Sequence, residues 1–272
     1  MIPNEDGILQ ASYQTLPVRY WEQGSDNLQE KLDSIAQESA IALVYNDISH
    51  AVMMASPINL AEFALGFSLS EGIINKASEV YEVNLTSCEK GIEVRIEISS
   101  KRMMALKVHR RNLTGRTGCG LCGSESLDQA IRPVKSVTPQ QLPSSNAIQY
   151  ALSQLNKHQK LQALTGAVHG AVWCDSTGEI KLLREDVGRH NALDKLIGAL
   201  TLNQIDTNSG FVLISSRASY EMVQKVTSVN IPTLVAVSAP TALAITLATT
   251  AKLNLIGFAR SGRHVVYTNV NK

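Results

Sequence analysis

The chain has 272 residues and only four cysteines, Cys88, Cys119, Cys122 and Cys174. That is too few, and too scattered, for the disulfide framework of a small secreted domain. It lacks an excess of either charge: 25 Lys and Arg face 24 Asp and Glu, for a net +1. Bulk electrostatics therefore gives no basis for nucleic-acid binding, and any anion site must be a local cluster. The N-terminal stretch Met1-Ile2-Pro3-Asn4-Glu5-Asp6 lacks the basic start and apolar run of a signal peptide. One uncharged stretch, Val226 to Ala251, is long enough to cross a bilayer. It contains Pro232, Pro240 and hydroxyl residues at Thr233, Ser238, Thr241, Thr246, Thr249 and Thr250, so it reads as a buried strand, a turn and a buried helix. No repeats or low-complexity tracts occur. These absences point to a cytoplasmic, reduced, globular protein, and a chain of this length buries about three quarters of its extended surface without a staple.

What is present divides the chain. Residues 1–15 show no periodicity and read as a loose arm. Over 16–113 an α+β subdomain is expected. Ile41–Tyr45 and Ala51–Ala55 flank Asn46-Asp47 as a hairpin, and Leu60, Phe63, Ala64, Phe67 and Ile74 recur at helical spacing after a cap at Asn59. Val80–Thr86 and the strictly alternating Ile92, Val94, Ile96 and Ile98 form half-buried strands around a turn at Cys88-Glu89-Lys90-Gly91. Residues 114–145 hold the Cys119–Cys122 motif and three prolines, Pro133, Pro139 and Pro143, that mark a seam. From 146 to 272 helices and strands alternate. Ile148, Ala151, Leu152 and Leu155 make a helix face, Gly166–Trp173 and Ile180–Leu183 flank a turn, and Leu193, Leu196, Ile197 and Leu200 form a second helical stripe. Strands at 211–215, 233–237 and 253–258 are separated by helices at 220–229 and 242–252, which predicts a largely parallel sheet covered on both faces. Ligands of such sheets gather beyond the carboxyl ends of the strands.

The chemistry concentrates at Gly118-Cys119-Gly120-Leu121-Cys122-Gly123. A free thiol with a pKa near 8.5 is roughly one-tenth thiolate at neutral pH, and nearby cations raise that fraction. Arg110, Arg111 and Arg116 precede the motif, and its glycines remove side chains that would block approach. A sulfur carrier needs such a thiol. Three other readings stay open on the residues alone: half of a zinc site, a dithiol redox centre and a plain turn. Zinc lacks a second cysteine pair, and thioredoxin-type motifs follow a strand directly, unlike this one.

With Gly115-Arg116-Thr117-Gly118-Cys119-Gly120-Leu121-Cys122-Gly123 in view, the chain resembles the formate dehydrogenase accessory sulfurtransferases, the FdhD family. Arg184-Glu185-Asp186-Val187-Gly188-Arg189-His190-Asn191-Ala192-Leu193-Asp194-Lys195 looks like that family's central signature, and Ser215-Ser216-Arg217 and Phe258–Arg263 match as well. The resemblance implies a three-layer α/β/α sandwich similar to cytidine deaminases, with a smaller N-terminal α+β subdomain. It implies a sulfurtransferase: a persulfide sulfur taken from a cysteine desulfurase onto Cys119, with Cys122 auxiliary. That sulfur passes to the molybdenum of bis(molybdopterin guanine dinucleotide), and the cofactor then enters the formate dehydrogenase catalytic subunit. Neither the His-x-Glu nor the Pro-Cys-x-x-Cys signature of zinc deaminases is present, so no zinc or other metal ligands are expected. The rival functions are a molybdenum-cofactor chaperone without sulfur chemistry and a zinc-dependent deaminase-like hydrolase. Neither nucleic acid nor membrane is expected as a partner, and a homodimer is the common state for such a chain.

The resemblance assigns cofactor binding to Phe258, Ala259, Arg260, Ser261, Gly262 and Arg263, and the chemistry fits. Arg260 and Arg263 can grip pyrophosphate oxygens, Ser261 can donate, Gly262 admits a close backbone approach, and Phe258 can stack on guanine, or on a guanine nucleotide that mimics the cofactor. Taken alone, the segment reads rather as an ordinary strand exit with solvated arginines. Asp186, Arg189 and His190 form a second polar cluster between a strand and a helix, read as capping and loop-tying groups ahead of ligand contacts. His169 reads as a core histidine, and Trp173 and Cys174 as core.

Overall fold

The computed structural model describes residues 12–114 and 133–269, with side chains through 108 and from 133. The chain opens with an antiparallel ribbon, β1 (Tyr13–Tyr20) and β2 (Gln29–Ala36). This ribbon was silent in the sequence, and its first strand begins inside the expected arm. The reason lies in its pattern: Leu16, Leu32 and Ile35 are exposed, so no buried face imposes period two.

A four-stranded sheet follows in the order β4 (Ile48–Ala55), β3 (Ser39–Tyr45), β6 (Gly91–Ile98), β5 (Val80–Cys88). The β3–β4 turn is Asn46-Asp47, both at positive φ (43° and 63°), the geometry that matches the twist of a two-residue hairpin. The Asn46 amide also clasps Ile98, accepting from its N–H at 2.9 Å and donating to its carbonyl at 3.1 Å. Helix α1 (Leu60–Ser70) begins after Asn59, which sits at φ 55° and caps nothing with its side chain. The helix stops four residues before Ile74, because the chain reverses at Gly72, φ 69°; Ile74 is buried beyond the helix end. Helix α2 (Ser100–Thr114) was not foreseen, since its charged run hid a weak apolar stripe. Met103 and Leu106 nevertheless bury, and Arg102 ties the helix to the Ile73 and Gly72 carbonyls.

The C-terminal half is built on a six-stranded sheet ordered β12 (Arg263–Thr268), β11 (Asn254–Arg260), β10 (Thr233–Ala236), β9 (Gly210–Ile214), β7 (His169–Asp175), β8 (Ile180–Asp186). Only β9, β10 and β11 run parallel. The expectation of a largely parallel sheet is corrected by tight reversals on both flanks: β7 turns into β8 through Asp175–Gly178, and β11 turns into β12 through Ser261-Gly262, leaving no room for a crossover helix. Residues 166–168, expected as strand, instead close helix α4 (Lys160–Thr165), with Gly166 at φ 67° as its left-handed cap.

Period two along the inner strands sends side chains to two cores. Val212, Ile214, Leu234, Ala236 and Leu255 face α5 (Arg189–Leu202), α6 (Tyr220–Ser228) and α7 (Ala242–Ala251). Phe211, Leu213, Val235 and Ile256 face α3 (Ser145–His158), which contributes Ile148, Ala151 and Leu155. The result is the α/β/α sandwich. Each such aliphatic side chain contributes about 1.5–3 kcal/mol by leaving water. The first core is continuous with the N-terminal sheet, because α1 lies directly on α5. Two glycines permit that contact. A Cβ at Gly66 would stand 1.7 Å from the Asp194 carbonyl oxygen, and one at Gly198 would stand 1.9 Å from that of Glu62. The Val226–Ala251 stretch is divided among α6, β10 and α7, and no described helix is long and apolar enough to cross a membrane.

Candidate functional site

Cys119 and Cys122 lie outside the described residues, as do Arg116 and the side chains of Arg110 and Arg111. Of the other cysteines, Cys174 is fully buried in the second core, and burial pushes its thiol far above the ordinary range. It is no nucleophile at neutral pH. Cys88 ends β5 and is exposed at the hairpin turn.

The central signature, Arg184–Lys195, joins β8 to α5 and spends nearly all its polar groups on the fold. Arg184 forks onto the Glu62 carboxylate of α1, with Nη2 2.6 Å from Oε1. Glu185 accepts from the free N–H groups of Leu161 and Gln162, both at 2.9 Å, and so caps α4. Burial raises its pKa, against those two hydrogen bonds and the Gln159 side chain. Asp186 and Lys195 form an ion pair at 2.6 Å with neither side chain exposed. Around it, Lys195 donates to the Ser56 carbonyl at 2.8 Å, and Asp186 accepts from the N–H groups of Ser56 and Gly188 and from Asn191. Asp194 takes Lys225 of α6 at 2.9 Å and the Ser70 hydroxyl at 2.6 Å, and Lys225 also reaches Glu71. These contacts bolt the C-terminal sheet to β4 and α1.

His190 faces Glu221 at 2.6 Å across the first turns of α5 and α6. Burial lowers its pKa; Arg189 and Lys225 act the same way, and Glu221 opposes them. The pair lines a cleft of about 350 Å³ between α1 and α6, whose rim includes Val134 and Lys135. Two groups of the signature stand apart: Arg189 Nε and His190 Nε2 are both buried without a well-formed hydrogen bond among the described residues. The capping and tying role read from the sequence therefore describes Asp186; His190 is tied only by its contact with Glu221, and Arg189 fits less well. His169, expected in the core, instead sits half-buried at the start of β7, across from Asp186.

The Phe258–Arg263 segment is a hairpin, not a strand exit. Sequence reasoning missed β12 because its burial is uneven and a bulge breaks the register with β11 between Gly257 and Arg260. At that bulge Phe258 adopts φ 48° and Ala259 turns into the second core. Arg260, Ser261, Gly262 and Arg263 are left exposed at the tip. Gln149 of α3 holds the tip from below: its Oε1 accepts from Gly262 N–H at 2.8 Å, and its Nε2 donates to the Arg260 carbonyl at 3.2 Å and the Arg263 carbonyl at 3.4 Å. No motif marked Gln149 in the sequence. Neither guanidinium forms an ion pair among the described residues; Arg260 lies 6.0 Å from the Phe258 ring centroid. Arg217, after β9, is likewise exposed and unpaired among them. The tip presents two uncompensated cations, a hydroxyl and a glycine at φ 77° beyond the carboxyl end of a parallel strand. Such a set suits the phosphates of an anionic dinucleotide.

Fold and site together define an α/β/α sandwich with a basic hairpin at the carboxyl edge of its parallel strands, buttressed by a second sheet through buried ion pairs. Residues 36–272 match the FdhD/NarQ family, and the chain belongs to it. Among similar proteins is the sulfur carrier protein FdhD of Cupriavidus necator, 52% identical over 258 residues, covering 95% of this chain and 89% of that one. The sulfur carrier protein FdhD of Variovorax paradoxus is 46% identical over 260 residues, covering 95% and 92%. In fold, the chain is similar to the crystal structure of a Desulfotalea psychrophila protein described as a formate dehydrogenase accessory protein, with TM-score 0.73, 23% identity and coverage of 96% and 98%.

Proposed function

We propose that this protein is a cytoplasmic sulfur carrier in formate dehydrogenase maturation, working through Cys119. The Cys119 thiolate attacks the outer sulfur of a cysteine desulfurase persulfide. A new S–S bond forms on Cys119, the donor's S–S bond breaks, and the desulfurase cysteine leaves as a thiolate, so no outside oxidant is needed. The proposed substrate is the molybdenum of bis(molybdopterin guanine dinucleotide). In that transfer the Cys119 S–S bond would break and Cys119 would leave as a thiolate. The two electrons that turn the outer sulfur into a sulfide ligand would come from the reduced metal or from a thiol reductant, after which the cofactor passes to formate dehydrogenase. This chain's part in delivery is to hold the cofactor: Arg260 and Arg263 take the pyrophosphates, Ser261 and the backbone of Gly262 approach between them, and Gln149 fixes the tip.

The observation that carries the reading is this hairpin, whose arginines have no partner among the described residues in a chain belonging to a family of sulfur carriers. Intact-mass spectrometry after incubation with a cysteine desulfurase and free cysteine tests it. The expected result is a gain of one sulfur, removed by reductant and absent in Cys119→Ala, together with loss of formate dehydrogenase activity in cells carrying that variant. Activity that persists in Cys119→Ala would support a chaperone without sulfur chemistry and end the carrier reading.

A further inference from the structure

Helix α2 carries a charge pattern that the fold does not use up. Its sequence holds Lys101, Arg102, Lys107, Arg110 and Arg111 and no Asp or Glu. Arg102 is consumed within the fold: it donates to the Ile73 and Gly72 carbonyls and pairs with Glu79 at 3.3 Å. Arg110 and Arg111 fall near the helix C-terminus, where the helix dipole favours cations. Lys101 stands in the first turn, where the same dipole opposes it. Lys107 precedes Arg111 by four residues, a like-charge spacing that weakens a helix. Both lysines are exposed, and neither forms an ion pair among the described residues.

Beside the lysines lies an apolar stripe with no cover among the described residues. Met103 and Leu106 turn into the core, while the opposite arc presents Met104 at 70% exposure, Val108 at 51% and the exposed Ala105. Positions 101, 104, 105 and 108 follow the i, i+3, i+4, i+7 spacing of one helix face. Single exposed aliphatics are ordinary. A contiguous stripe rimmed by lysines has the make-up of a contact surface, apolar at its centre and charged at its edge. The unbranched Met104 side chain can adapt its shape to a partner.

Covalent continuity points to the partner. Cys119 follows the helix end, Thr114, by five residues. Its Cα therefore lies within about 18 Å of that of Thr114, whatever path the chain takes. A protein that loads Cys119 brings its own persulfide sulfur into bonding contact there. With a standard contact of about 800 Å² on each side, such a protein spans about 30 Å of surface, enough to rest on α2 at the same time. The cofactor side has no such tie to α2, because the basic hairpin belongs to β11 and β12 of the other sheet. We propose that the outer face of α2, formed by Lys101, Met104, Ala105, Lys107 and Val108, docks the sulfur-donor protein, which meets it with carboxylates around an apolar patch. This rests on the carrier reading above. The lysines draw the donor in, and the stripe holds it while sulfur is exchanged at Cys119.

The test follows the rate of Cys119 persulfide formation in the full chain by intact-mass spectrometry with two donors. One is a cysteine desulfurase supplied with cysteine; the other is the small molecule cysteine persulfide. Both load Cys119 by the same thiol–persulfide exchange, and only the first needs a docking face. With limiting desulfurase, Lys101→Glu/Lys107→Glu should slow loading about tenfold in low salt. The slowing should shrink at about 1 M salt, where the Debye length falls to about 3 Å. Met104→Gln/Val108→Gln, which retains helix-compatible side chains, should slow loading about tenfold at either salt. Cysteine persulfide should load both variants as fast as the unaltered protein. Desulfurase loading at the unaltered rate in both variants overturns the docking face, and so does equal slowing with both donors. An oligomeric mass changed by Met104→Gln/Val108→Gln would assign the face to a second copy. A thermal midpoint lowered by more than about 4 °C in that variant would mean that this chain's own residues cover it. Either result overturns the proposal. If neither donor loads Cys119 in the unaltered protein, the carrier reading itself falls, and the docking face with it.

Discussion

Two basic and polar segments, Arg184–Lys195 and Phe258–Arg263, look alike in sequence and behave oppositely in the structure. In the first, Arg184, Asp186, Asp194 and Lys195 each have a partner of opposite charge within the fold, and Asp186 and Lys195 are fully buried. In the second, two arginines stand exposed with no carboxylate beside them among the described residues. Charge that is neutralised and dry holds elements together; charge that is wet and unpaired has affinity left for a ligand. Proximity to a strand's carboxyl end does not separate the two segments, since β8 leads into one and β11 into the other. Only the partners do.

The comparison breaks most sharply at Lys195. Lys195→Ala leaves Asp186 ionised and buried without a counter-charge, and should cost about 3–5 kcal/mol, read as a lowered denaturant midpoint. The double variant Asp186→Leu/Lys195→Met removes the lone buried charge but leaves the Ser56 and Gly188 N–H groups unpaired, so it should recover only part of that loss. A small loss in the single variant would mean that water reaches the pair. Next in size is Gly198→Ala, which forces α5 from α1 and should cost at least about 1–3 kcal/mol, because the obstacle is the Glu62 backbone, which cannot swing aside. Its thermal midpoint should fall while the hairpin's GDP affinity stays unchanged. Smallest for the fold is Arg260→Ala/Arg263→Ala. Stability should move by no more than about 0.5 kcal/mol, while GDP binding falls by at least about tenfold. A destabilisation comparable to Lys195→Ala would place these arginines with the first segment after all.

Most helices and inner strands were legible before any coordinates. The stripe Leu193, Leu196, Ile197 and Leu200 is buried to within 2% exposure, and the Asn46-Asp47 turn falls where it was read. Those signals are local: a period of 3.6 or 2, and a turn dipeptide tolerant of positive φ. The misses have a common cause. The β1–β2 ribbon and β12 are poorly buried and carry no clean alternation; α2 is masked by its own charges. At the site, Arg260 and Arg263 were named from the motif, but Gln149 was invisible, since a glutamine on a helix carries no hint of whether it meets water or a hairpin tip.

By itself the sequence determined the order of elements, the two-sided cover of the C-terminal sheet and the family to which the chain belongs, because each is written in neighbouring residues. Tertiary structure alone decided which charges are consumed and which are free, that the segment after β11 reverses into a hairpin, and that Gly66 and Gly198 let two helices touch. Several of those outcomes depend on atoms brought together from more than a hundred residues apart, as Glu62 with Arg184 and Gln149 with Gly262, and electrostatics and steric exclusion act on distance in space, whatever the distance along the chain.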